Sequence, residues 1–234
     1  MVIYVKGELV NRRGIGYLSG DSDDKDEARM RRGTQQFLFV GNHPCLDFIN
    51  TQMIVNGEPA DLLGSFEDLV SWLVQARIVT GTQADVARAE LTKRQMVPLL
   101  DQAKSFRTTL REMTERLAAS QSIPDSIILT INRVLSQQSG YPQLVRIKNR
   151  RFEQRFHSTA APTQSVLAPL AEAASDLLCQ ANFALIKKCG NPSCILYFYD
   201  TTKNHARNWC SMGLCGNRMK AAAHYRRRRI QAGS

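Results

Sequence analysis

The sequence lacks the features that mark a membrane-spanning chain or a common enzyme. None of its apolar runs approaches the roughly 18 to 20 residues needed to cross a bilayer, and its start, MVIYVKGELVNRR, lacks the apolar core of a signal peptide. It has no Gly-rich phosphate loop, no pair of metal-binding histidines at helical spacing and no nucleophile elbow. We therefore expect a cytoplasmic protein that is not an enzyme and does not bind membranes.

The composition is that of a folded protein. Aromatic residues make up 7% of the 234 residues, hydrophobic residues 43% and charged residues 22%. These values exclude a disordered or fibrous chain, and the length suits a medium-sized domain followed by a small module.

Positive charge is concentrated at the C-terminal end. From Lys187 to Ser234 there are ten Lys or Arg and one acid, Asp200, whereas residues 1–186 have a net charge of only +1. This segregation predicts that the last part of the chain binds a polyanion, and the alternative is a solvated basic end.

Four of the six cysteines lie in the same basic segment. Cys189 and Cys194 are separated by four residues, and so are Cys210 and Cys215. Two close pairs about 15 to 20 residues apart are typical of a structural zinc site with four thiolate ligands. We predict one zinc ion per chain.

Other uses of these cysteines stay open at this stage. Two disulfides are disfavoured in a reducing cytoplasm, a thiol redox centre would have a two-residue spacer, and iron is the alternative metal. Cys45 and Cys179 lie outside the segment, and we expect both to be core residues. His205 and His224 are expected at the surface, because four thiolates already saturate a structural zinc.

The basic segment resembles a known family at many positions in register. The matched positions are Cys189-Gly-Asn-Pro-Ser-Cys194, Tyr197-Phe-Tyr-Asp200, Asn204, Arg207, Trp209-Cys-Ser-Met212, Cys215-Gly-Asn-Arg218, Lys220 and the terminal Arg run. They resemble the CGNR zinc finger proteins. The resemblance implies the same four cysteine ligands and a single zinc ion.

A second motif lies upstream of the basic segment. Pro44-Cys-Leu-Asp-Phe-Ile-Asn-Thr51 resembles the opening of the ABATE domain, the N-terminal portion of the same family, so the similarity covers roughly residues 36–230. The role inferred for that family is stress-induced regulation of transcription.

Helical periodicity predicts most of the elements between the two motifs. Apolar residues recur at three- and four-residue steps from Ala103 to Leu117, and Pro124 precedes a similar stripe. We expect Ser65 to cap one helix, which Gly81 ends, and Thr82 to start the next. A last helix over 165–188 is expected to enter the cysteine module directly.

Extended structure is expected at two places only. Residues 37–40 suggest a short buried strand, and the period of two from Leu144 to Phe156 suggests a hairpin that turns at Asn149-Arg150. The expected fold is therefore mainly α with a small β-hairpin. We expect a flexible extension over 1–35, a helical domain over 36–186, and a zinc module over 187–234 that ends in a basic helix.

The C-terminal helix is the expected nucleic-acid contact. We expect one side of this helix to pack on the zinc knuckle, the turn between Cys189 and Cys194, and cations to cover the rest of the helix. The packed side comprises Cys215, Met219, Ala222 and Ala223. The aromatic residues at 197–199 and Trp209 are expected to form the small core of the module. The candidate nucleic-acid-binding residues are Lys203, Arg207, Arg218, Lys220, Arg226, Arg227, Arg228 and Arg229.

Three polar residues on the first helix form the other candidate site. Asp47, Asn50 and Thr51 fall close together and suggest a pocket for a small-molecule effector; a buried hydrogen-bond network is the alternative.

The sequence as a whole predicts a zinc-containing transcriptional regulator that binds double-stranded DNA, with the helical domain as sensor or homodimerisation unit. Two alternatives stay open. One is an adaptor that binds RNA or the ribosome, and the other is an enzyme with its active site in the helical domain.

Overall fold

The computed structural model describes residues 3–5, 8–10, 37–147, 151–159 and 166–232. Strands β1 (Ile3–Val5) and β2 (Glu8–Val10) pair antiparallel near the start, and the rest of the extension expected over 1–35 lies outside the described residues. No described helix is both long enough and apolar enough to cross a membrane.

Helices dominate the described residues, which confirms the expected fold class. The helices are α1 (Pro44–Ile49), α2 (Phe66–Gln75), α3 (Gly81–Glu90), α4 (Lys93–Ala118), α5 (Asp125–Leu135), α6 (Ala168–Gln180) and α7 (Asn217–Ala232). The remaining strands form three antiparallel hairpins: β3 (Gln52–Val55) with β4 (Glu58–Asp61), β5 (Gly140–Ile147) with β6 (Arg151–Ser158), and β7 (Ile186–Lys188) with β8 (Tyr197–Tyr199).

Local capping explains where the early helices begin. Ser65 caps α2, as predicted, and shares a capping box with Asp68. The start of the following helix was predicted at Thr82, which is two residues too late, because Thr80 is the N-cap of α3. Gly81 does not end α2 but is the first residue of α3.

A central core surrounds α4 and the short helix α1. The predicted stripe of α4 is buried from Ala103 to Leu117, and Leu46, Phe48 and Ile49 of α1 are completely inaccessible. The ring of Trp72 on α2 lies 4.9 Å from that of Phe48. This packing fixes α1, which carries the second motif, inside the molecule.

Two expectations near the zinc module were wrong in detail. Residues 37–40 form no strand, although Phe37 is buried in the main core. The helix expected over 165–188 ends at Gln180. The Asn182 side chain accepts a hydrogen bond from the Ala184 amide and starts a 3-10 turn, after which the chain becomes strand β7. Local capping and strand pairing therefore end the helix before the module.

The boundary expected between 186 and 187 falls inside β7. This strand pairs with β8, and Tyr197 of β8 is part of the main core together with Ile186. The zinc cysteines form a second cluster against which Leu38 and Met53 pack. The helical part (37–185) and the zinc part (186–232) thus bury apolar surface against each other.

Candidate metal centre

The sulfur atoms of Cys189, Cys194, Cys210 and Cys215 all lie within 4.8 Å of one another. Two of their separations are 3.9 Å, from Cys194 to Cys210, and 3.6 Å, from Cys210 to Cys215. A tetrahedral zinc with bonds of about 2.3 Å requires sulfur separations of about 3.8 Å. All six cysteines are free thiols, which argues against the two disulfides. The four thiols form a site for one zinc ion.

Asn191 supports the first cysteine pair. Its Oδ1 accepts a hydrogen bond from the Ser193 amide at 3.1 Å, and its carbonyl accepts one from the Cys194 amide at 2.9 Å. Its Nδ2 donates to Cys215 Sγ at 3.3 Å. The Asn191 side chain therefore shapes the turn between Cys189 and Cys194, which we call the first knuckle. It also stabilises negative charge on Cys215, a ligand of the second pair.

Close backbone packing joins the two cysteine pairs. The Gly190 amide donates to the Asn208 carbonyl at 2.7 Å, and the Cys210 amide donates to Cys189 Sγ at 3.4 Å. A Cβ at Gly190 would lie 3.0 Å from that carbonyl oxygen and 3.3 Å from the Trp209 ring. Glycine suits this close approach, because a Cβ would have to displace the Asn208 carbonyl slightly.

The second cysteine pair closes through a single π-helical turn, Met212–Gly216, whose N-cap is Ser211. The Cys215 amide donates to the Ser211 carbonyl at 3.1 Å. A Cβ at Gly216 would lie 2.6 Å from the Met212 sulfur. The turn places Cys215 at the end of the zinc site and leads directly into α7.

Ionisation of all four thiols at such short separations would need a cation to balance the charge. Hydrogen bonding between the Cys210 and Cys194 sulfurs lowers the pKa of Cys194 to about 5 and raises the pKa of Cys210. Further negative charge within so small a cluster is costly unless a metal compensates for it. The donor set fits zinc, which would hold the two knuckles together as a structural ion.

Asp200 is the buried centre of the loop between β8 and Cys210. Its Oδ2 accepts hydrogen bonds from Lys187 Nζ at 2.7 Å and from the Arg207 amide at 3.0 Å. Its Oδ1 accepts from the hydroxyl and amide of Thr202. Burial alone would raise the pKa of Asp200, but these donors hold it at about 2.

Arg207 differs in placement from the other candidate nucleic-acid residues. Its guanidinium donates to the carbonyls of Trp209, Val40 and Cys210 and lies 4.1 Å above the Phe198 ring. Burial therefore lowers its pKa from the ordinary value. The structure gives Arg207 a bridging role between the residues before α1 and the zinc loop.

The remaining candidate cations are exposed. The set comprises Lys203 in the loop and six residues of α7, namely Arg218, Lys220, Arg226, Arg227, Arg228 and Arg229. Met219 is half-buried, whereas Ala222 and Ala223 are exposed, so the expected packing arc ends after one turn. Beyond that turn α7 stands free of the zinc knuckle.

Asp47, Asn50 and Thr51 are each 1% exposed and form hydrogen bonds within the protein. The Asn50 amide group donates to the Tyr197 carbonyl at 2.8 Å and accepts from the Tyr197 amide at 3.0 Å. Thr51 Oγ1 accepts from Arg107 at 2.7 Å, and Asp47 Oδ1 accepts from the Gly41 amide at 2.7 Å. These three residues therefore form the buried hydrogen-bond network that was the alternative to an effector pocket.

Further bonds connect the same two parts. Arg111 donates to the Ile195 carbonyl, the Tyr199 amide donates to the Gly41 carbonyl, and Asn42 donates to the Tyr199 carbonyl. We call the contacts of Gly41, Asn42, Asn50 and Arg111 with residues 195–199 the seam. It ties the motif at 44–51 to strand β8.

Several other expectations are settled by burial. Phe198 is buried in the cluster of the zinc cysteines and Trp209 packs against it, as predicted for the core of the module, whereas Tyr197 and Tyr199 belong to the main core instead. Cys45 is buried, and burial with the nearby Asp47 charge raises its pKa to about 12. Cys179 is exposed, so its assignment to the core was wrong, because it lies on the outer side of the last turn of α6.

Sequence reasoning named Asn191 and Asp200 only as matched positions of the motif and missed the hydrogen bonds by which they support the site. A signal for Asn191 exists, because the triplet Cys-Gly-Asn occurs twice, at 189–191 and 215–217. For Asp200 the signal is its position as the only acid in a strongly basic segment.

Comparison with known families gives two matches. The ABATE model, described as "Putative stress-induced transcription regulator", matches residues 42–181, which is more than half of the chain. The model of the CGNR zinc finger matches residues 186–228. A search of curated proteins found no match.

Proposed function

Because the chain belongs to the ABATE family and carries a CGNR zinc finger, we propose that it is a cytoplasmic transcriptional regulator that binds duplex DNA through α7. The membership confirms the resemblance seen in the two motifs. Both families are of regulatory or zinc-finger type, which favours a non-enzymatic role, and we assign no catalytic residue.

The exposed, uniformly basic helix α7 is the observation that carries this proposal. It spans Asn217–Ala232, contains Arg218, Lys220 and Arg226–Arg229, and has no acidic residue. A helix fits the major groove of DNA, where Lys and Arg neutralise phosphates and Arg can also bind guanine. The zinc supplies no chemistry here beyond holding the turn from which α7 starts.

The salt dependence of binding tests the proposal. If α7 makes four or five phosphate contacts, those contacts alone should contribute roughly −4 to the slope of log affinity against log salt. The variant R226Q/R227Q/R228Q should reduce that slope by about 2.7. The control K93Q/R94Q/R133Q removes the same charge from exposed positions on α4 and α5 and should leave the slope unchanged. Equal effects of the two variants would contradict binding through α7.

The choice of DNA over RNA requires its own comparison. An exposed basic helix can also bind structured RNA, so duplex DNA and structured RNA should be titrated at matched salt. Tighter binding of duplex DNA supports the regulator. Tighter binding of RNA would instead favour the adaptor that binds RNA or the ribosome.

We further propose that the helical part acts as a sensor through the seam. Because Asp47, Asn50 and Thr51 are buried, an effector would act on them from a neighbouring cleft of about 690 Å³ between the end of α4 and the zinc knuckle. Its lining includes Glu115, Lys188, Tyr197 and Trp209. Tyr197 is also the partner of Asn50, so a ligand in this cleft would contact the seam directly.

Fragment screening against the full chain, followed by DNA titration with each binder, tests the sensor. A true effector must change DNA affinity, and DNA must change effector affinity by the same factor. If binders leave DNA affinity unchanged, the helical part is better explained as a homodimerisation unit that spaces two basic helices. Sedimentation of the full chain would then show a dimer.

A further inference from the structure

Strands β5 and β6 (Gly140–Ile147 and Arg151–Ser158) form an arm. Its register runs from Gly140 opposite Ser158 to Ile147 opposite Arg151. None of the arm residues whose side chains the structure describes, which are 140–146, 152 and 154, belongs to either hydrophobic cluster. Tyr141, Leu144 and Phe152 are 51%, 69% and 55% exposed. The arm therefore leaves large apolar side chains in solvent.

The base of the arm is closed by local bonds. The Thr159 amide donates to the Ser139 carbonyl at 2.7 Å, and the hydroxyls of the two residues lie 3.0 Å apart. A two-stranded ribbon with no covering layer is only marginally stable in water. Exposed apolar side chains on such a ribbon commonly mark a binding surface.

The charge of the arm indicates what binds it. Between Gly140 and Ser158 the sequence has five Lys or Arg and one acid, a net charge of +4. Residues 1–186 together have a net charge of only +1, so the rest of that region is net negative. The guanidinium of Arg146 lies 4.9 Å above the ring of the exposed Phe152, its partner in the register. The sequence thus concentrates positive charge in this part of the chain, and Arg146, whose side chain the structure describes, is exposed.

We propose that the arm is a second DNA contact, which lies in a groove of the duplex while α7 binds elsewhere on it. A two-stranded ribbon fits the major groove. Its cations neutralise phosphates, and Leu144 and Phe152 supply apolar surface to sugars and thymine methyl groups. The proposal rests on the proposed function, because it requires that the protein bind DNA.

The first test removes charge from the arm in the full, zinc-loaded chain. R146Q/R151Q/R155Q should reduce the slope of log affinity against log salt by about 2 to 3. The control is again K93Q/R94Q/R133Q, which lowers the net charge equally and should leave the slope unchanged. An arm variant that behaves like this control overturns the proposal.

A second variant guards against indirect effects on folding. Replacing residues 141–157 by Asn-Gly keeps the closed base at Ser139 and Thr159, so this chain should retain its zinc and its helical signal. It should lose at least as much DNA affinity as the charge variant. Unchanged DNA affinity in this folded, zinc-loaded chain also overturns the proposal.

The remaining outcomes separate the arm from the proposed function. If only R226Q/R227Q/R228Q weakens binding, the arm proposal fails and binding through α7 stands. If the unmodified protein does not bind DNA at all, both fail. If the arm variants convert a dimer to a monomer and leave the DNA affinity of each protomer unchanged, the arm is an interface between copies of the chain, and the proposal is overturned.

Discussion

Asp200 shows how a single buried carboxylate organises the zinc loop. Asp200→Asn removes the charge partner of Lys187 and leaves donors unsatisfied, so we expect it to lower the free energy of unfolding by about 2 kcal/mol. Because the pKa of Asp200 is about 2 and therefore depressed, its contribution is complete above pH 4 and is lost only as the pH falls towards 2. Urea unfolding at pH 6 and pH 8 should give equal losses. The matched control is Asp101→Asn, an exposed carboxylate on α4, which should change stability little.

Asp47 should show the opposite dependence on pH. Burial raises its pKa to about 8, although the Gly41 amide and the Arg207 charge oppose the shift. The unfolded chain ionises this carboxyl near pH 4, so the stability of the native protein falls as the pH rises from about 4 to 8. Asp47→Asn stays neutral, and its stability relative to the unmodified protein should therefore increase between pH 6 and pH 8 in urea unfolding. A difference that is constant or decreases with pH would contradict this account.

At the level of elements, the second knuckle depends on Asn191 as well as on the cysteines. Asn191→Ala removes the N–H donor to Cys215 Sγ and the acceptor for the Ser193 amide. We expect zinc affinity to fall about 10- to 100-fold while the chain still binds one zinc when saturated. Competition with a chromophoric chelator measures this, with Ser193→Ala as the control.

Loss of a ligand should have a larger effect. Cys210→Ser should abolish stoichiometric zinc binding, whereas Cys179→Ser, at an exposed non-ligand position, should retain it. X-ray absorption of the unmodified protein should show four sulfurs at about 2.3 Å. Less than half an equivalent of zinc in reduced, unmodified protein would argue against the site.

Elements with a strong local signal were the ones that sequence could predict. The stripe on α4, the Ser65 cap and the four cysteines each depend on spacing within one segment. The burial of Asn50 depends on strand β8, whose Tyr197 lies 147 residues further along the chain. A contact between residues so far apart in the chain produces no periodic pattern in the sequence. The sequence alone therefore could not show that Asn50 bonds to Tyr197 of the zinc part.

For the whole molecule, the seam raises the question of whether the two parts are independent domains. The sequence suggests a helical domain that ends at 186 and folds without the zinc module. The structure instead places Tyr197 of the zinc part in the main core and pairs both of its backbone polar groups with Asn50. Zinc binding is therefore expected to stabilise the helical part as well.

The two tryptophans make this coupling measurable, because Trp72 lies in the core of the helical part and Trp209 lies beside the zinc knuckle. In a Trp209→Phe chain, fluorescence reports only on Trp72. We expect removal of zinc by a chelator to lower the thermal midpoint of the Trp72 signal by several degrees, since the seam loses its ordered partner. Adding Asn50→Ala leaves two buried backbone groups of Tyr197 unpaired and should make the Trp72 midpoint much less sensitive to zinc. If the chelator leaves the thermal midpoint of the Trp72 signal unchanged in the chain with Asn50 intact, the helical part folds independently. In that case zinc binding does not stabilise the helical part through the seam.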